Sequence, residues 1–143
     1  MDEIDGAILD ELQRDGRMSM AELGTKLGVA PSTAFKRIEK LKKQGIIEKF
    51  TIAINPSYFE HSLVTFLTIR ADPEEKEAVA AFLSDLYLIS EVYETLEPCD
   101  FIAKARVQTI TQLKMEILIP LSELAGVREI RPFITVKRYK EQF

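Results

Sequence analysis

The sequence predicts an α+β chain: a helix-turn-helix unit of three helices at residues 1–46, then a ferredoxin-like βαββαβ domain at 62–143, joined by a connector strand and linker at 47–61. Three observations predict it. Apolar residues recur at helical spacing to about residue 45, extended apolar segments then alternate with two helical ones, and glycines stand where the early helical runs stop.

Ile4, Ile8, Leu9 and Leu12 form the stripe of a first helix, and Asp2, Glu3 and Asp5 crowd its first turn, where the helix dipole favours negative charge. Gly16 stops it. Ser19 and Glu22 have capping-box spacing for a second helix, whose Leu23 and Leu27 point inward until Gly28 ends it. Pro31 suits the first position of a third helix, which presents Ala34, Ile38 and Leu41 on one face and stops at Gly45. Ile46 to Ile54, rich in Ile and Phe, reads as a strand-like connector running into the Asn55-Pro56-Ser57 turn signal.

Beyond the connector, Leu63 to Ile69 reads as a strand and Glu74 to Leu86 as a helix with Val79, Phe82, Leu83 and Leu86 inward. Ile89 to Thr95 and Phe101 to Val107 read as strands joined by a turn at Glu97-Pro98-Cys99. Ile110, Leu113, Ile117, Leu121 and Leu124 mark a second helix, and Val127 to Tyr139 a last strand. Pro120 lies inside that second helix, where proline costs about 3 kcal/mol, so a bend or break is expected there. Two helices cover only one face of such a sheet, yet the first strand is apolar on both sides: Val64 and Phe66 on one, Leu63, Leu67 and Ile69 on the other. A second subunit is the economical cover, so these five residues are the expected dimerisation strand.

Composition narrows the function classes. A chain of 143 residues with 46% hydrophobic and 29% charged residues can bury a core, which excludes a disordered tail. No run approaches the roughly 18 apolar residues of a membrane helix, and the acidic start is unlike a secretory signal, so the expected location is the cytoplasm, with no membrane partner. One cysteine and one histidine leave no disulfide and no Cys/His cluster for a metal. Net charge is −4, but it is segregated: residues 1–15 carry six acidic side chains against one basic, and residues 16–50 eight basic against three acidic. One segment is suited to phosphate while the rest is not.

The cationic segment holds the most informative pattern. A helix-turn-helix needs a small residue where its helices cross, a turn residue that tolerates positive φ, and an apolar plug after the turn; Gly24, Gly28 and Val29 supply them. With Ala34 and Ile38 inward, a 100° step per residue turns Ser32, Lys36, Glu39 and Lys43 outward and Lys40 to the edge. Ser32, Thr33 and Lys36 are the candidates for base edges in the major groove of double-stranded DNA, and Lys40, Lys42 and Lys43 for the flanking phosphates. Arg37 is a DNA-binding candidate too, but it lies near the inner face and equally suits a pair with an acid of the first helix, such as Asp5. A solvated basic face on a plain packing unit is the competing reading, and it must treat glycine geometry and charge segregation as coincidence.

The chain also resembles, nearly end to end, the leucine-responsive/asparagine-regulator (Lrp/AsnC, or feast/famine) transcription regulators of bacteria and archaea. The matching elements are Asp2-Glu3-Ile4-Asp5 with Ile8-Leu9, Asp15-Gly16-Arg17, the helix-turn-helix through Arg37-Ile38, Gly45-Ile46-Ile47, Ile54-Asn55-Pro56 and Gly126-Val127. The resemblance implies a winged-type helix-turn-helix, a connector strand, and a RAM/ACT-like domain that dimerises through its sheet and assembles further into tetramers or octamers. It implies a nucleoid-associated, sequence-specific regulator and a small effector, an amino acid or a related molecule, held between dimers near Glu97, Cys99 and Asp100. The family's Gly-x-x-Asp turn reads Glu97-Pro98-Cys99-Asp100 here, and a glutamate fills the space glycine leaves and repels a carboxylate, so an altered ligand or none is expected. Ala30 stands where the family has a capping Ser.

Cys99 has no basic neighbour in sequence to make it reactive, and His61 precedes a strand in a loop; both read as unreactive. With no phosphate loop, nucleophile elbow or paired-carboxylate motif, neither catalytic residues nor a cofactor are expected. Two alternatives stay open: a metabolite sensor or enzyme on the C-terminal domain, and an architectural protein that compacts DNA without sequence preference.

Overall fold

The computed structural model describes residues 1–55, 58 and 62–141. These form two compact units, Met1–Ile54 and Asn55–Glu141. His61 and the Pro56-Ser57 part of the expected turn lie outside the described residues.

The first unit contains α1 (Glu3–Arg14), α2 (Met20–Leu27) and α3 (Pro31–Lys43). Two capping boxes start the first two helices: Asp2 with Asp5 on α1, and Ser19 with Glu22 on α2. Each satisfies two backbone N–H groups that a helix start leaves open. Pro31 opens α3, whose N-cap, Ala30, makes no side-chain cap bond. Ile8, Met18, Leu23, Ala34, Ile38 and Leu41 form the buried core between the helices.

The turn between α2 and α3 explains two glycines. Gly28 caps α2 in the left-handed region at φ 67°, which favours glycine. Gly24 is needed for space: a Cβ there would stand 2.5 Å from the Val29 carbonyl oxygen. The Gly24 carbonyl accepts the Val29 N–H at 2.9 Å, so the two backbones lock together at the crossing.

The expected connector strand forms no ladder. Ile46 and Ile47 donate to the Leu41 carbonyl as the wrapped end of α3, and no strand follows among the described residues before Leu63. Alternating Phe50, Ile52 and Ile54 side chains are exposed, so the pattern is that of a strand but this chain supplies no partner for it among the described residues.

The second unit has strands β1 (Leu63–Ala71), β2 (Ile89–Glu94), β3 (Phe101–Val107) and β4 (Val127–Ile134), paired antiparallel in the order β2-β3-β1-β4. A 3-10 turn (Pro73–Glu75) leads into α4 (Lys76–Asp85). This is the ferredoxin-like arrangement. The last strand is shorter than expected: Thr135 still donates to the Val64 carbonyl, but pairing stops at Ile134.

The second covering helix runs on past Pro120 by changing register. A short α5 (Ile110–Gln112) passes into a π-helical stretch, Leu113–Leu118, before α6 (Ile119–Ser122). Ile119 donates to the Lys114 carbonyl, five residues back. The wider turn accommodates a residue with no N–H to give, so the helix neither breaks nor loses its inward residues Leu113, Ile117 and Leu121.

Alternate residues of β1 face opposite ways. Thr65, Leu67, Ile69 and Ala71 are buried beneath the helices, whereas Phe66 lies on the open face. Leu67 and Ile69, expected at an interface, are fully buried within the domain's own core, and Leu63 packs on its margin. Only Val64 and Phe66 of the five are on the open face, because side chains on a strand alternate.

Gly24→Ala should destabilise the N-terminal unit by about 1–3 kcal/mol, since the new methyl meets backbone that cannot yield. Gly16→Ala, whose Cβ would lie 3.6 Å from the Leu12 carbonyl oxygen, should change little. Urea unfolding followed by circular dichroism compares the two.

Candidate nucleic-acid interface and effector region

The outer face of α3 is set by what its inner face buries. With Ala34, Ile38 and Leu41 in the core, Ser32, Lys36, Lys40 and Lys43 are exposed, and Thr33 is half-buried. Lys36, Lys40 and Lys43 make no ion pair among the described residues, while Lys42 pairs with Glu39 at 2.9 Å one turn back.

Arg37 belongs elsewhere. Its Nη1 donates to Asp5 Oδ1 at 2.8 Å and to Asp2 Oδ2 at 2.7 Å, which ties α3 to the start of α1. Asp5 is one of two buried polar residues among those described and is also the capping-box partner of Asp2. The acid-pair alternative for Arg37 is therefore what the structure contains, and the phosphate role is corrected: the side chain is spent inside the unit. Lys26 similarly reaches Glu11 of α1 at 2.6 Å.

The Arg37 hydrogen bond, with support from the Asp2 N–H, holds the Asp5 carboxyl below its ordinary value. Asp2 is lowered chiefly by the same guanidinium. Each keeps its proton less readily folded than unfolded. Their stabilisation is therefore present above the ordinary carboxylate range and is lost as pH falls through the lowered folded values.

In the second unit, Asp100 serves the turn. Ala71 N–H donates to its Oδ2 at 2.8 Å, Lys76 Nζ stands 3.3 Å from its Oδ1, and its own N–H donates to the Ile69 carbonyl at 2.9 Å. The Ala71 bond is the main reason its carboxyl is held low. Asp100 thus fastens the β2–β3 turn to β1 with both oxygens occupied, a structural use that its place in a turn did not reveal. Cys99 is half-buried, and its carbonyl accepts the Thr95 hydroxyl at 2.7 Å.

Glu97 is exposed and joins a cavity of about 430 Å³ on the open face, lined also by Pro98, Cys99, Thr95, Thr68, Arg70, Ile102, Glu129, Arg131 and Phe133. Asp100 does not line it. Register explains the gathering: Thr68 faces Ile102 on one side and Arg131 on the other, and Arg70 faces Glu129. Sequence reasoning missed Arg70, Glu129, Arg131 and Phe133, although their alternation along β1 and β4 was the available signal. At the other end, residues 135–141 return over Val64 and Phe66, where Lys104 holds Glu141 at 2.6 Å.

Comparison with known proteins bears on both regions. Residues 1–48 match the winged helix-turn-helix DNA-binding family model. The chain is 32% identical to the leucine-responsive regulatory protein of Salmonella typhimurium, over 99% of this chain and 88% of that one. The chain belongs to the Lrp/AsnC family of transcription regulators. It is 34% identical to the HTH-type transcriptional regulator FL11 of Pyrococcus abyssi, over 99% and 93% of the two chains. The fold matches that of Escherichia coli AsnC with a TM-score of 0.88 at 24% identity, covering 100% of this chain and 97% of that one. As a member of this family the chain is a DNA-binding transcription regulator, not an enzyme. Among the described residues no helix is long and apolar enough to cross a membrane.

Arg37→Gln should lower stability at neutral pH, and the gap from the wild-type protein should close as pH falls below about 4, where the carboxylates of both proteins take up protons. Urea midpoints measured across that range check it; a gap that stays constant with pH would contradict the Arg37 clamp.

Proposed function

We propose that the chain recognises operator DNA as a homo-oligomer, with α3 in the major groove. Ser32, Thr33 and Lys36 meet base edges, and Lys40 and Lys43 take the flanking phosphates, Lys42 after releasing Glu39. The observation that carries this reading is the division of cations on α3: Arg37 is consumed by Asp2 and Asp5, whereas Lys36, Lys40 and Lys43 stand together on the exposed face. A twofold dimer presents two such helices to half-sites about 10 bp apart.

The dimer contact is assigned to the open face of the sheet. Phe66 (37% exposed) and Phe133 (53% exposed) are cross-strand neighbours there, with Val64 and Ile102 beside them, an apolar surface that water covers poorly. Assembly of dimers into tetramers or octamers follows the family pattern. Modulation by an amino acid or related small molecule at the Glu97-Pro98-Cys99-Asp100 turn is supported by the name of the leucine-responsive relative. Glu97 makes a ligand unlike a plain aliphatic amino acid the better fit. A regulator of this kind works in the cytoplasm, on the nucleoid.

Two charge and surface reversals should separate the parts. Lys36→Glu with Lys40→Glu should abolish retention of duplex DNA and leave the oligomer intact; Phe66→Asp with Phe133→Asp should yield single chains. Binding by the wild-type protein should weaken steeply with salt, each neutralised phosphate contributing about −0.9 to the slope of log K against log salt. Gel retardation against random competitor DNA, with each of the twenty amino acids added in turn, and light scattering provide the readings. Full competition by random DNA would favour an architectural role.

A further inference from the structure

Phe35 is the anomaly on α3. It is 55% exposed, and it contributes to neither the buried core of the unit nor the partly buried residues packed against it. Every other apolar residue of that helix, Ala34, Ile38 and Leu41, is buried. A phenyl ring left in water on a helix otherwise lined with Ser32, Lys36 and Lys40 forfeits the transfer energy that a ring normally gains by burial. Aromatic side chains are also weaker helix formers than Ala or Leu, so local propensity gives no reason for it.

Its position fits an occupant. Phe35 follows Ser32 by three residues, about 60° around the helix, so the two are side-by-side neighbours in the first half of α3. That end of a recognition helix approaches base edges. The unpaired lysines around it suit a polyanion and not a hydrophobic protein surface. In the major groove the one apolar group a base pair exposes is the thymine C5 methyl, and Phe is among the side chains that contact it.

We propose that Phe35 reads a thymine methyl, making it a specificity-determining residue whose target is a 5-methylpyrimidine at one fixed place in each half-site. The inference rests on α3 being the DNA-reading helix. Lys36, Lys40 and Lys43 then supply affinity that is indifferent to sequence, and Phe35 supplies discrimination that is indifferent to salt, because covering a methyl group releases water and not counterions.

The test uses duplexes selected from a random pool by the wild-type full-length protein, prepared either with thymine or with uracil throughout. Uracil keeps the pairing and the groove hydrogen-bonding groups and lacks only the methyl. The wild-type protein should bind the uracil duplex about fourfold more weakly for each methyl group that Phe35 would otherwise cover. Phe35→Ala, a substitution at an exposed site that favours helix, should bind both duplexes equally with the salt slope unchanged, and Phe35→Leu should retain part of the preference. Placing single uracils should confine the effect to symmetric positions. Equal wild-type affinity for the two duplexes overturns the proposal, as does a thymine preference that survives in Phe35→Ala. A Phe35→Ala protein that keeps the preference and instead loses its oligomeric state assigns the ring to a protein contact. Failure of the wild-type protein to retain any duplex at low salt would remove the DNA-reading assignment of α3 and this inference together, whereas retention without discrimination removes this inference alone.

Discussion

The buried Asp5 carboxylate is the point on which the N-terminal unit turns. It closes the capping box of α1 and receives Arg37 from α3, so one side chain both helps start one helix and fastens another to it. A carboxylate withdrawn from water needs hydrogen-bonded compensation, and here the guanidinium and the Asp2 backbone N–H provide it. The consequence reaches the outer face. Burial of Ala34, Ile38 and Leu41 turns Lys36, Lys40 and Lys43 outward together, and the Arg37 bonds tie the helix so turned to α1.

Close approach at Gly24 completes the same constraint from the other side. With the Val29 carbonyl where a Cβ would sit, α2 and α3 meet backbone against backbone, leaving little freedom in their angle. The apolar core of this unit is small, and this close approach adds to the buried face of α3 in fixing its orientation. The second unit is built on a different economy. Its core forms between the inner sheet face and the helices, and Pro120 is absorbed by a π-helical stretch that keeps Leu113, Ile117 and Leu121 pointing inward. What remains is an open face on which Phe66 and Phe133 are adjacent, with Phe133 also forming part of the wall of the charged cavity around Glu97, Arg70 and Arg131.

Most of the helical unit was legible in the sequence because its signals are local. Capping boxes, a proline at a helix start and a glycine at a helix end act within four residues, so Ser19, Pro31 and Gly28 could be read directly, while Asp2, read as a first-turn charge, is the N-cap itself. The strands of the second unit were legible in order, while the last was read too long because nothing local marks where its pairing stops at Ile134. The connector shows that a strand is defined by its partner: Phe50, Ile52 and Ile54 alternate as strand residues do, and the described part of this one chain offers nothing to pair with them. The dimerisation set was too broad because an apolar strand does not say which of its faces the helices take; that choice left Val64 and Phe66 outside and took Leu67 and Ile69 inside.

The sequence by itself determined where helices begin and end, the βαββαβ order and the segregation of positive charge onto α3, all of which rest on short-range periodicity, capping chemistry and residue type. Only the tertiary structure decided which of those charges are spent. Arg37 and Asp5 are 32 residues apart, and Asp100 and Ala71 are 29 apart, so neither bond leaves a mark in local pattern. Whether a cation or a carboxylate is free to meet a partner depends on what folding brings within hydrogen-bonding reach of it, and that is settled by packing between elements and not by spacing within them.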